Sequence, residues 1–302
     1  YGRVRVMLIP AALGPGDLID VIAPSSPFDR TLAWKGLGWL GQRYRIRFDR
    51  GIFQTQGYLA GSDDRRAREL DRALRASDSK AVVAVRGGYG LHRIAPKMDW
   101  EAFRSQPKWL VGFSDITVLH VEAMRAGVAS MHAPMVAALG QSHEPTRRRW
   151  IEALEAPTQP RQWAGLGCLR PGRVAGTSVG GNLTVLHACA AAGRLSLPDD
   201  AIIFLEDVGE RPYRIDRMLT TLITAGVFEK ARGMVLGEFT NCYPGTDRME
   251  VMDVFCDLMS AFSFPTIIGF PMGHGELNDP LPLGVPVELD AKEAGSMVSV
   301  FG

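Results

Sequence analysis

The chain has 302 residues, 46% hydrophobic and 22% charged, with 34 basic residues against 33 acidic ones. That size and apolar share allow one large domain or two moderate ones, each with a real core. A net charge of +1 gives no electrostatic case for nucleic acid as partner, and no apolar run is long enough to span a bilayer.

Residues 18–23 read as a short apolar strand that ends in Pro24-Ser25-Ser26-Pro27. Residues 44–48 alternate apolar and basic side chains, as an edge strand does. Ser62-Asp63-Asp64 caps a helix with Ala67, Leu70 and Leu74 on one face. Residues 81–85 are wholly apolar and rich in valine, which suits a central parallel strand. Residues 109–113 form a second such run, and a helix pattern fills 115–126. Arg65-Arg66 and Arg147-Arg148-Arg149 fall in helical segments with polar neighbours and read as solvated faces. Strands alternating with helices predict a parallel, doubly wound, flavodoxin-like α/β domain over 1–155. Sites in such sheets lie beyond the carboxyl ends of the strands.

Residues 156–173 hold Pro157, Pro160, Pro171 and several glycines with little periodicity, and read as a linker. A C-terminal domain, 174–302, follows. Its uncharged opening, 174–193, reads as an approach loop with the turn Gly180-Gly181-Asn182 and a buried helix. Then come a strand at 201–205, an amphipathic helix at 214–225, and strands at 233–237, 266–270, 285–289 and 297–301. Proline- and glycine-rich turns between the last three predict a smaller, β-rich α/β domain.

Three places join reactive side chains to glycine-rich turns at strand ends. In Gly112-Phe113-Ser114-Asp115 a buried strand gives way to a helix. A serine held at such a turn has an exposed hydroxyl and backbone N–H groups beside it. The match to G-x-S-x-G is partial, because Ile116 stands where the last glycine would be. The plainer alternative is Ser114 as an ordinary N-cap. The second place is Leu205-Glu206-Asp207-Val208-Gly209-Glu210, and the third is Gly273-His274-Gly275. A serine hydroxyl needs a base to take its proton, and an imidazole serves when a carboxylate fixes its tautomer. Ser114, His274 and a carboxylate make a triad, with Glu206 and Glu210 both open as the third member. Arg86-Gly87-Gly88-Tyr89-Gly90 lacks the lysine of a phosphate loop. It fits better as an oxyanion hole, with an N–H of Gly87 or Gly88 joining that of Asp115. Arg86 is a candidate cation for a free carboxylate, with bracing of the turn as its alternative role. The six histidines and four cysteines have no metal-ligand spacing, so neither metal nor cofactor is expected. The scattered cysteines suit a reducing compartment. Arg3, Arg5 and Met7-Leu8-Ile9 faintly resemble a signal peptide, but Pro10 breaks the run early. The expectation is a cytoplasmic protein.

These motifs together resemble the murein tetrapeptide LD-carboxypeptidases, a family that also includes the microcin-immunity serine peptidases. The resemblance runs from about Gly14 onward. It rests on Pro15-Gly16-Asp17, Pro24-Ser25-Ser26, Arg86 to Gly90, Gly112 to Asp115, Gly180-Gly181-Asn182-Leu183, Leu205-Glu206-Asp207, Tyr213 to Arg217, and Gly269 to His274. It implies Ser114 as nucleophile and Glu206 and His274 as its partners, which selects Glu206 over Glu210. It implies a parallel α/β domain with a smaller β-rich one, and a homodimer. The implied substrate is a small muropeptide, cleaved at the L,D-bond before terminal D-alanine. Two rivals stand beside this reading. One is an immunity-type peptidase acting on aminoacyl or peptidyl nucleotides, whose members tend to carry a longer insertion between serine and glutamate with an aromatic residue that stacks the base, for which this chain has little room. The other is a non-catalytic α/β ligand-binding protein.

Overall fold

The computed structural model describes residues 7–300 and divides into two compact units. One comprises Tyr1–Pro157 with Asp279–Gly284, the other Thr158–Asn278 with Val285–Gly302. Arg3 and Arg5 of the leader-like start lie outside the described residues, and Leu8 bridges in parallel to Val128.

The first unit alternates strand and helix: β1 (Leu18–Ile22), α1 (Arg30–Leu40), β2 (Arg45–Arg47), α2 (Asp63–Arg75), β3 (Ala81–Ala84), α3 (Trp100–Ser105), β4 (Trp109–Gly112), α4 (Thr117–Ala126), β5 (Ser130–His132), α5 (Val136–Leu139) and α6 (Glu144–Glu155). β5, β4, β3, β1 and β2 lie side by side, all parallel. The strand Leu281–Leu283 returns from far along the chain and pairs antiparallel with β5. β3 and β4 are buried at every residue, as continuous apolar runs in a sheet covered on both faces should be. β2 sits at the edge with Arg45 exposed. Ser62 caps α2 by accepting the Arg65 N–H, with Asp63 and Asp64 in the first turn and Arg72 and Arg75 in the last. That charge order complements the helix dipole.

Two expectations about arginines need correction. Arg66 is 0% exposed, and Arg65 donates to Ala23 O at 2.8 Å and Ala60 O at 2.7 Å. The pair faces inward because the carbonyls of two loops converge on α2. Arg149 pairs with Asp279 at 2.7 Å, and Arg147 donates to Leu139 O and lies over the Trp39 ring. Arg148 and Arg149 nevertheless keep solvated positions, 62% and 50% exposed, and Arg147 is half-buried.

The second unit is a closed barrel with helices around it. Its elements are β6 (Arg161–Arg170), β7 (Gly172–Asn182), α7 (Leu183–Ala191), β8 (Ala201–Val208), α8 (Pro212–Thr224), β9 (Ala231–Thr240), α9 (Val251–Leu258) and β10 (Thr266–Ile268). β11 is the strand Leu281–Leu283 of the first unit, and β12 (Pro286–Ala291) and β13 (Ser296–Val300) complete the set. The barrel order is β10-β6-β13-β12-β7-β8-β9, and β10 pairs back onto β9. Closure leaves no free edge. β7, β8, β9 and β10 run parallel, while β12, β13 and β6 are antiparallel to their neighbours.

The linker expected at 156–173 is instead mostly β6, and the stretch 174–182 is strand rather than approach loop. Glycine misled here for a physical reason. A Cβ on Gly167 would come within 2.5 Å of Ile268 Cγ1, one on Gly176 within 2.0 Å of Asp200 O, and one on Gly180 within 1.9 Å of Phe204 O. These glycines admit close neighbouring chains inside a strand and do not make a turn. The domain line of 1–155 and 174–302 shifts accordingly, with the units changing over between Pro157 and Thr158 and 279–284 returning to the first. Phe301, the end of the expected last strand, lies outside the described residues. Among the described residues, no helix is long and apolar enough to cross a membrane.

Candidate active site

In the first unit the site is built at the end of β4. Ser114 is half-buried and has φ +65°, the left-handed region that non-glycine residues rarely occupy. Strain of this kind costs about 1–3 kcal/mol and survives where the surroundings over-determine it. The turn is tight: a Cβ on Gly112 would lie 2.7 Å from Ile116 Cγ1. Residues Ser114–Ile116 form one 3-10 turn before α4. The N-caps of these two elements are Phe113 and Ile116, so Ser114 caps neither. Its hydroxyl is thus not committed to the helix, which removes the plainer reading.

The glycine turn lies against this serine. A Cβ on Gly87 would come within 2.8 Å of Ser114 Cβ and 3.1 Å of Phe113 O. Gly88 has φ +111°, and a Cβ there would meet Ser26 Oγ at 2.4 Å. Ser26 accepts the Tyr89 N–H at 3.1 Å and donates its own N–H to Gly87 O at 3.2 Å. Arg86 is exposed and donates to Pro27 O at 2.5 Å, so it braces the facing loop. Gly87→Ala should therefore push the serine out of place. The expected result is a loss of turnover of about 10²-fold, the scale of a 1 Å misplacement, with a melting temperature close to that of the parent. Activity near the parental value would mean that the turn does not control the serine.

His120, which sequence reasoning passed over, braces the strand before the serine. Its Nε2–H donates to Gly112 O at 2.9 Å, and Nδ1 accepts from Ser130 Oγ at 2.9 Å. Burial pushes its pKa down to about 4, so it stays neutral at ordinary pH. The unfolded chain binds this proton from about pH 6.5 downward, and the folded one only near 4. Its contribution to stability is therefore full above pH 6.5 and is lost as pH falls toward 4. The loss amounts to about 3 kcal/mol at one pKa unit per 1.36 kcal/mol. Buried Glu69, Asp115 and Asp207, whose carboxyls burial pushes upward, act in the opposite sense. The measure is thus a difference: urea unfolding of His120→Gln should lose less stability between pH 7 and pH 4.5 than the parent does. Parallel pH curves would show that His120 is not the group responsible.

In the second unit β8 is buried from Ala201 to Asp207. Its pairing with β9 slips between Leu205 and Asp207. Such a bulge re-aims side chains, and here both Glu206 and Asp207 are buried, at 0% and 2% exposure. Glu206 Oε2 lies 2.8 Å from His274 Nδ1. The carboxylate oxygen accepts in this pair and Nδ1 donates its hydrogen. Gly273, at φ +136°, makes the approach possible, because a Cβ there would meet Glu206 Oε2 and Glu238 O at 3.2 Å. Asp207 does other work. It accepts from Asn182 Nδ2 and from the Thr184 N–H and hydroxyl, which fixes the start of α7. Glu210 pairs with Arg214 at 3.5 Å, so the carboxylate on His274 is that of Glu206.

Glu238 was not foreseen. Its carboxylate lies over the histidine turn, where a Cβ on Gly275 would be 1.4 Å from its Oε2. Burial and the nearby charge of Glu276 push its pKa upward. The only sequence signal was Gly237-Glu238 at the end of an apolar run. Among the described residues, no group of three or more His, Cys, Asp or Glu side chains could hold a metal ion.

Comparison with known proteins agrees with both halves. Residues 19–133 match the LD-carboxypeptidase N-terminal domain, and residues 175–289 match the LD-carboxypeptidase C-terminal domain. The murein tetrapeptide carboxypeptidase of Pseudomonas aeruginosa is 34% identical over 77% of this chain and 80% of its own. The crystal structure of muramoyltetrapeptide carboxypeptidase from Oxalobacter formigenes superposes with a TM-score of 0.85 at 26% identity, covering 94% of this chain and 99% of that one. The microcin C7 self-immunity protein MccF reaches a TM-score of 0.87 over 98% of each chain at 20% identity, a likeness of fold alone. The two-unit α/β and barrel architecture is thus that of a carboxypeptidase fold. The chain belongs to the LD-carboxypeptidase family, and it is a peptidase, which sets aside the non-catalytic ligand-binding reading.

Proposed function

We propose that this peptidase is a serine carboxypeptidase that releases terminal D-alanine from murein tetrapeptides, with Ser114 as nucleophile, His274 as base and Glu206 as the group that orients it. The observation that carries the reading is the 2.8 Å pair of Glu206 and His274 Nδ1, which holds an imidazole by a carboxylate as a serine triad requires. The strained, uncommitted Ser114 supports the nucleophile assignment. His274 Nε2 takes the Oγ proton as Oγ attacks the carbonyl before D-alanine. The N–H of Asp115 and one from Gly87 or Gly88 hold the oxyanion. His274 then protonates the leaving amine, and a water deprotonated by the same nitrogen releases the acyl group. The reading requires Ser114 Oγ to reach hydrogen-bond distance of Nε2. Arg86 keeps exposed donors for a substrate carboxylate. The family resemblance further points to a homodimer, which light scattering of the purified protein would check, and the scattered cysteines point to the cytoplasm.

The test is mass spectrometry of incubations with four compounds: the free tetrapeptide carrying meso-diaminopimelate or lysine at position three, its L-alanine epimer, the pentapeptide, and an aminoacyl-nucleotide with a non-hydrolysable phosphate link. D-alanine should leave the tetrapeptide, and the epimer and pentapeptide should be poor substrates. In the epimer the carboxylate and methyl exchange places, and one buried polar partner left unpaired costs roughly 1–3 kcal/mol. Cleavage of the nucleotide conjugate with an untouched tetrapeptide would replace this substrate with that of the immunity-type peptidases.

A further inference from the structure

The Arg65-Arg66 motif has no part in the chemistry above, yet it lies at the centre of the loops around the serine. Arg66 Nη1 donates to Pro24 O at 2.5 Å and to Gly90 O at 3.0 Å, and Nη2 pairs with Asp63. Removing a guanidinium from water is costly, and a buried ion pair is weak evidence for stability as such. The rigid fork of donors is what an arginine offers there and a lysine does not.

The carbonyl of Gly90 belongs to the same peptide group as the N–H of Leu91. That N–H donates to Asp115 Oδ2 at 3.0 Å. A single peptide group is therefore held at its oxygen by a buried guanidinium and at its nitrogen by a buried carboxyl oxygen. Both hydrogen bonds lie along the peptide's own dipole, and hydrogen bonds in such a chain polarise one another. No side chain fits between: Gly90 has φ +133°, and a Cβ on it would be 2.6 Å from Arg66 Nη1. One end of this chain is the residue that follows Ser114. The peptide it grips closes the turn whose Gly87 lies against Ser114.

We infer that Arg66 and Asp115 are positioning residues, which grip the Gly90–Leu91 peptide from opposite ends and so hold the Gly87–Gly88 turn in register with Ser114. The inference deepens the oxyanion assignment and rests on the serine reading. Arg66→Lys keeps the charge and loses the fork. Asp115→Ala removes the acceptor, whereas Asp115→Asn keeps an oxygen for the Leu91 N–H. Gly90→Ala removes no polar group and wedges the guanidinium away, so it carries the test if Arg66→Lys does not fold.

The experiment measures kcat and KM on the tetrapeptide and the rate of labelling by a fluorophosphonate, each per titrated active site. Arg66→Lys, Asp115→Ala and Gly90→Ala should lose about 10–100-fold in kcat and in labelling rate, with KM within about 3-fold, as for a displaced oxyanion donor. Asp115→Asn should recover most of the loss. Arg66→Lys combined with Asp115→Ala should be little worse than the poorer single variant, because both act through one peptide. A purely structural role would lower the number of titrated sites and leave the rate per site unchanged. Parental rates per site in Arg66→Lys and Gly90→Ala, or fully additive losses in the double variant, would overturn the inference alone. A parent enzyme that does not label at Ser114 would overturn the serine reading, and the inference with it.

Discussion

Ser114→Ala should remove turnover by at least ~10⁴-fold, the scale seen when the nucleophile of a serine triad is deleted. The fold should persist, because Ser114 caps neither the 3-10 turn nor α4 and no helix loses a bond. The backbone at φ +65° stays as strained for alanine as for serine. Ser114→Gly should therefore be equally inactive yet more stable than the parent, by about 1 kcal/mol, since glycine meets no Cβ penalty in this region. The pair of variants separates two roles of one residue. D-alanine release reads the hydroxyl, and thermal unfolding reads the strain. An active Ser114→Ala enzyme would remove the nucleophile assignment. A Ser114→Gly variant less stable than the parent would show that the serine side chain contributes contacts that outweigh the strain.

The parallel sheet of the first unit was legible because its strands announce themselves. Buried runs such as AVVA and WLVG need no alternation when helices cover both faces, and Ser62-Asp63-Asp64 marked the start of α2 by capping chemistry. The turns at Ser114 and His274 were legible as close approaches for a related reason, since the glycines beside them mark places where backbone or side chain must come close. The barrel was harder to read. Glycines in β6 and β7 sit inside strands, where a neighbouring chain approaches to within a carbon's width, and local sequence does not distinguish that from a turn. The buried arginines were missed on similar grounds. Arg65 and Arg66 look like a wet helix face until the loops at 23–27 and 86–91 bring their carbonyls over α2. Only the fold supplies those acceptors, so periodicity along the helix could not reveal them.

Glu206→Gln should lower kcat by about 10⁴-fold, the cost of replacing the anchoring carboxylate of a serine triad by its amide. Two effects act together. An imidazolium formed during attack on the substrate loses the charge 2.8 Å from Nδ1 that would stabilise it. The amide can also present its NH₂ to the ring, which selects the tautomer with the hydrogen on Nε2 and leaves no base there. Glu206 is 0% exposed, so no water replaces the missing charge. Glu210→Gln is the matched control, four residues on and of the same chemistry. It gives up a pair with Arg214 at 3.5 Å, whose side chains are 22% and 48% exposed. Exposed pairs of this sort are worth about 0–1 kcal/mol, and none of that acts on His274. Its turnover should stay close to that of the parent. Steady-state kinetics of D-alanine release, measured for both variants across pH 5–9, settle the comparison. Equal losses in the two would show that the carboxylate on His274 is not what orients the base, and the assignment of Glu206 would have to be given up.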